Sequence, residues 1–293
     1  MTDTRLSITL DRFSYPDGTV ALADIRLDVT RGDFTGILGA NGSGKTTLLK
    51  VMDGLIRDYS GRVFLDGADI LKLKPREIYR KVGLVFQNPD DQLFAQTVFE
   101  DVAFGPLNMG FGEEEVRQRV ETALVQVEMA EAAEKNIHNL SYGQKKRVCI
   151  AGLLAMGHEI LLLDEPTAGL DPVGEQRMME LLASLNRDHG VTIVMATHSV
   201  DLVPLFLHRL HVLDHGRVVT SGTPEEVFTS PEALAAVRLR LPHVAELFHL
   251  ARHEDLLAFE TLPLTIGQGR QLLAETFFSD GVKVDTERGD EID

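Results

Sequence analysis

The sequence predicts an α/β protein with a mostly parallel sheet, an antiparallel β subdomain before it, an inserted α-helical subdomain and a small C-terminal helical extension. Two observations carry that prediction. Short apolar runs of the buried-strand type, at residues 34–38, 160–164 and 191–196, alternate with stretches of helical periodicity. Between about residues 89 and 155 the strand signals stop and helical ones replace them.

Each element has a local reason. From 6 to 29, apolar and polar residues alternate on either side of Tyr15-Pro16-Asp17-Gly18, the pattern of two antiparallel strands joined by a turn. Residues 34–38 form a short strand that runs directly into Gly39-Ala40-Asn41-Gly42-Ser43-Gly44-Lys45-Thr46-Thr47, and residues 46–52 continue as a helix. Residues 62–65 and 82–86 read as further strands, and Asn88-Pro89-Asp90-Asp91-Gln92 then breaks the sheet pattern and opens the helical insertion. The clearest helix of the insertion spans 113–129. There Val116, Val120, Ala123, Leu124 and Val127 recur every three or four residues, and Glu113, Glu114 and Glu115 suit the positive helix N-terminus.

Ser141 and Gln144 form an S-x-x-Q capping box for a helix running through Cys149 and Leu154. Asp171-Pro172 supplies an N-cap followed by proline at the first helical position, opening a helix to about Arg187. Helical patterning returns at 231–250 and 266–278. The expected division is a main domain at 1–225 and an extension at 226–293, ending in the acidic, apolar-poor stretch 280–293.

Composition narrows the function classes. Among 293 residues, 45 Asp and Glu outnumber 29 Lys and Arg, for a formal charge of −16, which disfavours nucleic acid as a partner. No apolar run approaches the ~20 residues that span a bilayer. The start, Met-Thr-Asp-Thr-Arg-Leu-Ser, lacks a secretory pattern, and the one cysteine, Cys149, has no internal partner, so a reducing cytoplasm is expected.

The segment Gly39 to Thr46 matches G-x-x-x-x-G-K-[ST] between a strand and a helix. Its backbone N–H groups cradle a diphosphate, Lys45 reaches the outer phosphates and Thr46 ligates Mg²⁺. Hydrolysis further requires a second metal ligand, a positioned water and a base. Asp164, at the tip of a buried apolar strand, is the expected metal partner, and Glu165 the expected general base. Gln87 and His198 each lie just past a strand, where Gln87 reaches Mg²⁺ or the attacking water and His198 reaches the γ-phosphate.

Taken with Leu140-Ser141-Tyr142-Gly143-Gln144, these elements resemble the ATP-binding cassette ATPases over roughly residues 5–225. The resemblance implies a P-loop NTPase core that binds ATP with Mg²⁺. It implies that His198 is the switch histidine, Gln87 the loop glutamine, Asp171 a residue of the loop that crosses the dimer interface, and Tyr15 the aromatic that stacks on adenine. It also implies a head-to-tail homodimer in which Ser141, Gly143 and Gln144 of one copy meet the γ-phosphate held by the other. The commonest family version has glycine where this chain has Tyr142.

The segments 86–94 and 140–148 are similar to those of energy-coupling factor importers, most of all the cobalt/nickel branch. That similarity implies an integral-membrane coupling protein and a small membrane substrate-binding protein as partners, with this chain peripheral at the cytoplasmic face of the membrane. Leu93, Phe94, Val98 and Phe99 are candidates to line the groove for the partner's cytoplasmic helix, against the alternative that they pack the helical subdomain. Motors for vitamins, amino acids or lipids stay open, as does a cassette ATPase acting on ribosomes or DNA, although such proteins usually carry two cassettes or long inserted arms. His243, His249 and His253 present either a metal-binding face or a solvated helix face.

Overall fold

A computed structural model describes residues 3–229, 231–253 and 261–278. Strands β1 (Thr4–Ser14) and β2 (Val20–Thr30) pair antiparallel around the turn at Tyr15 to Thr19. β3 (Phe34–Leu38) then leads into α1 (Lys45–Met52). β4 (Ser60–Leu65) and β5 (Ala68–Asp69) return to the first sheet, whose order is β2-β1-β4-β5. After α2 (Pro75–Tyr79) comes β6 (Val82–Val85), the last strand before the helical insertion.

The insertion holds α3 (Val98–Met109), α4 (Glu113–Gln126) and α5 (Tyr142–Met156). α4 stops three residues short of the expected end, because Glu128 adopts a positive φ of 57°. Val127 nevertheless stays buried, as its spacing predicts. β7 (Ile160–Asp164), α6 (Pro172–His189), β8 (Thr192–Thr197), α7 (Val203–Phe206), β9 (Arg209–Asp214) and β10 (Arg217–Gly222) complete the second sheet. Its order is β10-β9-β3-β8-β7-β6, parallel throughout except for β10.

Strands β3, β6, β7 and β8 of this sheet are buried along their whole length, which is why they read as near-continuous apolar runs. Along β7, Leu161 and Leu163 join a core with the helical insertion and α6, whereas Ile160 and Leu162 join a core with α1 and the antiparallel sheet. Arg5 of β1, 2% exposed, ties the two sheets together through Asp66 at 3.0 Å and Glu159, just before β7, at 2.7 Å.

The C-terminal segment comprises α8 (Pro224–Phe228), α9 (Pro231–Ala236), α10 (His243–His253) and α11 (Ile266–Phe278). The helical pattern expected over 231–250 is thus split in two at 237–242. Asp201, three residues past His198, anchors this segment: it accepts from the Arg240 guanidinium and, at 2.9 Å, from the His243 backbone N–H. Burial alone would raise the Asp201 carboxyl, but Arg240 and His243 outweigh it and hold it below the ordinary range. The expected acidic stretch at 280–293 and Glu254 lie outside the described residues.

One buried acid generates a test. Asp53 caps α1 at 6% exposure, and burial pushes its carboxyl up to about 7. Its folded pKa exceeds the unfolded value, so the native state holds the extra proton and stability falls as pH rises from about 4 through about 7. Asp53→Asn is therefore expected to stabilise the protein by roughly 2 kcal/mol or more at pH 8 and by almost nothing near pH 4. Urea unfolding at the two pH values measures this, and an equal effect at both would refute it.

Candidate functional site

The turn after β3 owes its shape to two glycines. Gly44 sits at φ 107°, the left-handed side of conformational space, with the Ala21 carbonyl oxygen only 2.8 Å from where a Cβ would be. At Gly39 a Cβ would collide with the Leu213 carbonyl and the Ser43 hydroxyl. The chain can therefore wind tightly enough to present α1 end-on. With Gly44 as N-cap, no side chain caps α1, so its N-terminal N–H groups and dipole face the cleft as an anion site.

Lys45, 6% exposed, folds back over this turn and donates to the Gly39 carbonyl at 2.8 Å and the Ala40 carbonyl at 3.2 Å. Its ammonium also lies 3.4 Å from Glu165. Thr46 donates its hydroxyl hydrogen bond to Asp164 Oδ2 at 2.7 Å. The other carboxylate oxygen of Asp164 is buried and has no hydrogen-bond partner among the described residues. Burial pushes the Asp164 carboxyl up and the Thr46 bond opposes that shift. A hydroxyl and an under-coordinated carboxylate side by side are oxygen donors that fit Mg²⁺.

Glu165 follows β7 at 5% exposure with φ 49°, an uncommon conformation for a residue with a side chain that costs of order 1 kcal/mol or more. Its backbone N–H donates to Ala196 O at 2.9 Å, and its Oε1 lies 2.9 Å from Nδ1 of His198. The strand tips thus bring together Lys45, Thr46, Asp164, Glu165 and His198.

The phosphate turn lies in a cleft of about 600 Å³ that also includes Tyr15, Asn41, Gly42, Thr47, Gln87 and the turn residues His215 and Gly216. Tyr15 is 39% exposed and anchored by a 2.8 Å hydrogen bond between its hydroxyl and Thr47. Phe13 packs edge-on against its ring, with centroids 5.0 Å apart. The contribution of Gly216 was not anticipated from sequence. Its signal was present: Asp214-His215-Gly216 is a turn pattern between two strands, and Gly216 donates to Ser43 O at 2.8 Å.

Ser141, Gly143, Gln144 and Asp171 do not reach that cleft. They line a separate one of about 500 Å³. The capping box forms in both directions: Ser141 N–H donates to Gln144 Oε1 at 3.0 Å, and Gln144 N–H to Ser141 Oγ at 3.3 Å. Asp171 caps α6 by accepting from Gly174 N–H at 2.6 Å. Tyr142 reaches from this second cleft toward the first, donating to the Gln87 carbonyl at 3.2 Å.

Of the two readings for the apolar residues after Gln87, packing within the helical subdomain holds for three of the four. Val98 is fully buried, and Leu93 and Phe99 pack against the core. Only Phe94 faces out, at 65% exposure, with its ring edge-on to exposed Phe104 at 4.6 Å and Leu107 nearby on α3 also exposed. Cys149 is buried, and burial pushes its thiol up to about 12, as befits a packing residue. His243 pairs with Asp201 at 2.9 Å, apart from His249 and His253, whose rings meet at a tilt with centroids 4.5 Å apart. Among the described residues no three His, Cys, Asp or Glu side chains converge on a point.

Comparison with known proteins agrees with this geometry. The ABC transporter family profile matches residues 22–168. A Geobacter sulfurreducens protein named as an ABC transporter ATP-binding protein is 69% identical over 92% of this chain and 97% of its own length. An energy-coupling factor transporter ATP-binding protein of Methanococcus maripaludis is 46% identical over 90% of this chain and 95% of its own. Among solved structures, cbiO1 of Clostridium perfringens, described as part of the ABC transporter complex cbiONQ, superimposes with a TM-score of 0.74. It is 43% identical and covers 84% of this chain and 99% of its own. A dimeric ATP-binding cassette in its post-hydrolysis state with ADP and phosphate gives a TM-score of 0.66 at 30% identity, over 75% of this chain and 98% of its own. The chain belongs to the ABC transporter family, as an ATP-binding, ATP-hydrolysing subunit of the energy-coupling factor kind.

Proposed function

We propose that this chain is the ATPase of an importer for a transition-metal ion, cobalt or nickel, and works as a head-to-tail homodimer. The observation that carries the dimer is the separation of the two clefts. The phosphate turn with Asp164 and Glu165 lies in one and Ser141 to Gln144 in the other, so a site using both needs two chains. The metal-ion assignment rests on the similarity of residues 86–94 and 140–148 to the cobalt/nickel branch of the energy-coupling factor importers.

In this reading the loop amides and Lys45 bind the ATP phosphates, and Tyr15 stacks on the adenine. Lys45 exchanges the Gly39 and Ala40 carbonyls for phosphate oxygens when ATP arrives. Thr46, Asp164 and Gln87 would hold Mg²⁺, which would neutralise charge on the phosphates. Glu165 accepts the proton of the attacking water through the oxygen that His198 orients. Ser141, Gly143 and Gln144 present the N-terminus of α5 to the partner's γ-phosphate, and Asp171 faces the same interface. Residues 1–225 act as the ATPase domain, with 89–155 as its helical subdomain and 226–293 as an appended extension.

No helix among the described residues is long and apolar enough to cross a membrane, and in this reading other polypeptides carry the load. The chain sits at the cytoplasmic face of the membrane beneath a coupling protein and a small substrate-binding protein. Phe94 and Phe104, exposed beside the loop that starts at Gln87, form the docking patch.

Three outcomes are expected. Glu165→Gln lowers kcat about 10²-fold or more while ATP binding persists, as loss of a general base requires; steady-state hydrolysis and nucleotide titration measure this, and near-normal turnover would remove Glu165 from the role. Gentle detergent extraction of the tagged protein from its native membranes recovers one coupling protein and one small polytopic protein, and cobalt or nickel uptake fails in the Glu165→Gln cells. Phe94→Glu loses that recovery while keeping ATPase activity. Two large pore subunits in the eluate, or ribosomal proteins alone, would overturn the importer assignment.

A further inference from the structure

Behind the capping box lies a buried cation outside both clefts. Lys146 is 1% exposed on α5, one turn after Tyr142. Its ammonium donates to the Glu165 carbonyl at 2.7 Å and the Ala168 carbonyl at 2.8 Å. It also lies 5.1 Å from the centroid of the Tyr142 ring, whose face takes up the remaining charge. All three ammonium directions are thereby occupied.

A buried charge is costly, and burial pushes this amine down to about 8. Packing alone would be served by an apolar side chain of similar length. What the charge adds is a grip on two backbone carbonyls of one short turn, closed by the Ala168 N–H donating to Glu165 O at 3.2 Å. That turn holds Glu165 at its positive φ, with the N–H side of the same residue fixed to Ala196. The carboxylate facing Lys45 and His198 is aimed by this backbone.

We propose that Lys146 is a positioning residue for ATP hydrolysis: it fixes the backbone of Glu165 and ties the following turn to the helix that begins at Ser141. The proposal rests on Glu165 being the general base. Because Tyr142 on the same helix face bonds the Gln87 carbonyl and its ring packs against Gly169, any shift of the α5 N-terminus is passed to Gln87 and to Glu165 together. Each chain thus links the cleft it offers to its partner with the base of its own cleft.

The test uses the purified full chain and four proteins: wild type, Lys146→Met, Glu165→Gln and the double variant. Turnover, KM for ATP with Mg²⁺ and thermal unfolding are measured for each. Lys146→Met is expected to lower kcat at least about tenfold, to leave KM within about threefold, and to slow the Glu165→Gln protein by no more than about twofold. A Lys146→Met kcat within about twofold of wild type overturns the proposal, as does a double variant slower than Glu165→Gln by the full factor that Lys146→Met shows alone. If Lys146→Met fails to fold, Lys146→Gln, whose neutral amide is one atom shorter, is read by the same kcat criterion. Near-normal turnover of Glu165→Gln by itself would strike the base assignment, an outcome visible apart from the lysine result.

Discussion

The hydrogen bond from Thr46 to Asp164, 2.7 Å long, joins two parts of the chain 118 residues apart and depends on nearly every other feature of the fold. Thr46 is placed by a turn that only glycines allow, and Asp164 by a strand buried on both faces. Neither could be there without the parallel order β3-β8-β7, which brings the tips of three strands to one edge. A carboxylate at such a tip is expensive to bury, and its unsatisfied oxygen shows where the compensation is to come from.

A second constraint is the positive φ of Glu165. Strain of this kind persists only where the surroundings over-determine it. Here Ala196 holds the N–H, Lys146 the carbonyl, and Lys45 and His198 the carboxylate. Four residues converge on Glu165, so the proposed base is held by the sheet, the phosphate turn and the helical subdomain at once. Movement of any of them would register at the Glu165 carboxylate.

Much of this was legible in the sequence because the signals were local. The phosphate loop, the Ser141 box and the Asp171-Pro172 cap each state a backbone conformation in a few residues, and all three form as read. Strands β3, β7 and β8 were legible because burial on both faces demands continuous apolar runs. The misses were of another kind. Helix α3 carries its own capping box at Thr97 and Glu100, but Pro106 within it and the mixed pattern around Phe94 obscured the period. Val98 could be read either as a groove residue or as core because exposure depends on which neighbours arrive, and it is fully buried in the core that residues of α4 and α5 also enter. Lys146 was unremarkable in a basic run, since nothing in Lys145-Lys146-Arg147 says which of the three turns inward. Tertiary context alone assigns it to the Glu165 turn, while Lys145 and Arg147 pair with Asp90 and Glu128 at the surface.

The account stands or falls on whether a working site is shared between two chains. The direct measurement is complementation: a Lys45→Ala chain, defective at the phosphate turn, is mixed with a Ser141→Arg chain, defective at the capping box, and ATP hydrolysis is compared with that of each chain alone. Head-to-tail pairing predicts that both are inactive alone and that mixing restores turnover, because each mixed dimer carries one site with an intact phosphate turn and an intact box. A mixture no more active than its components would contradict the shared site.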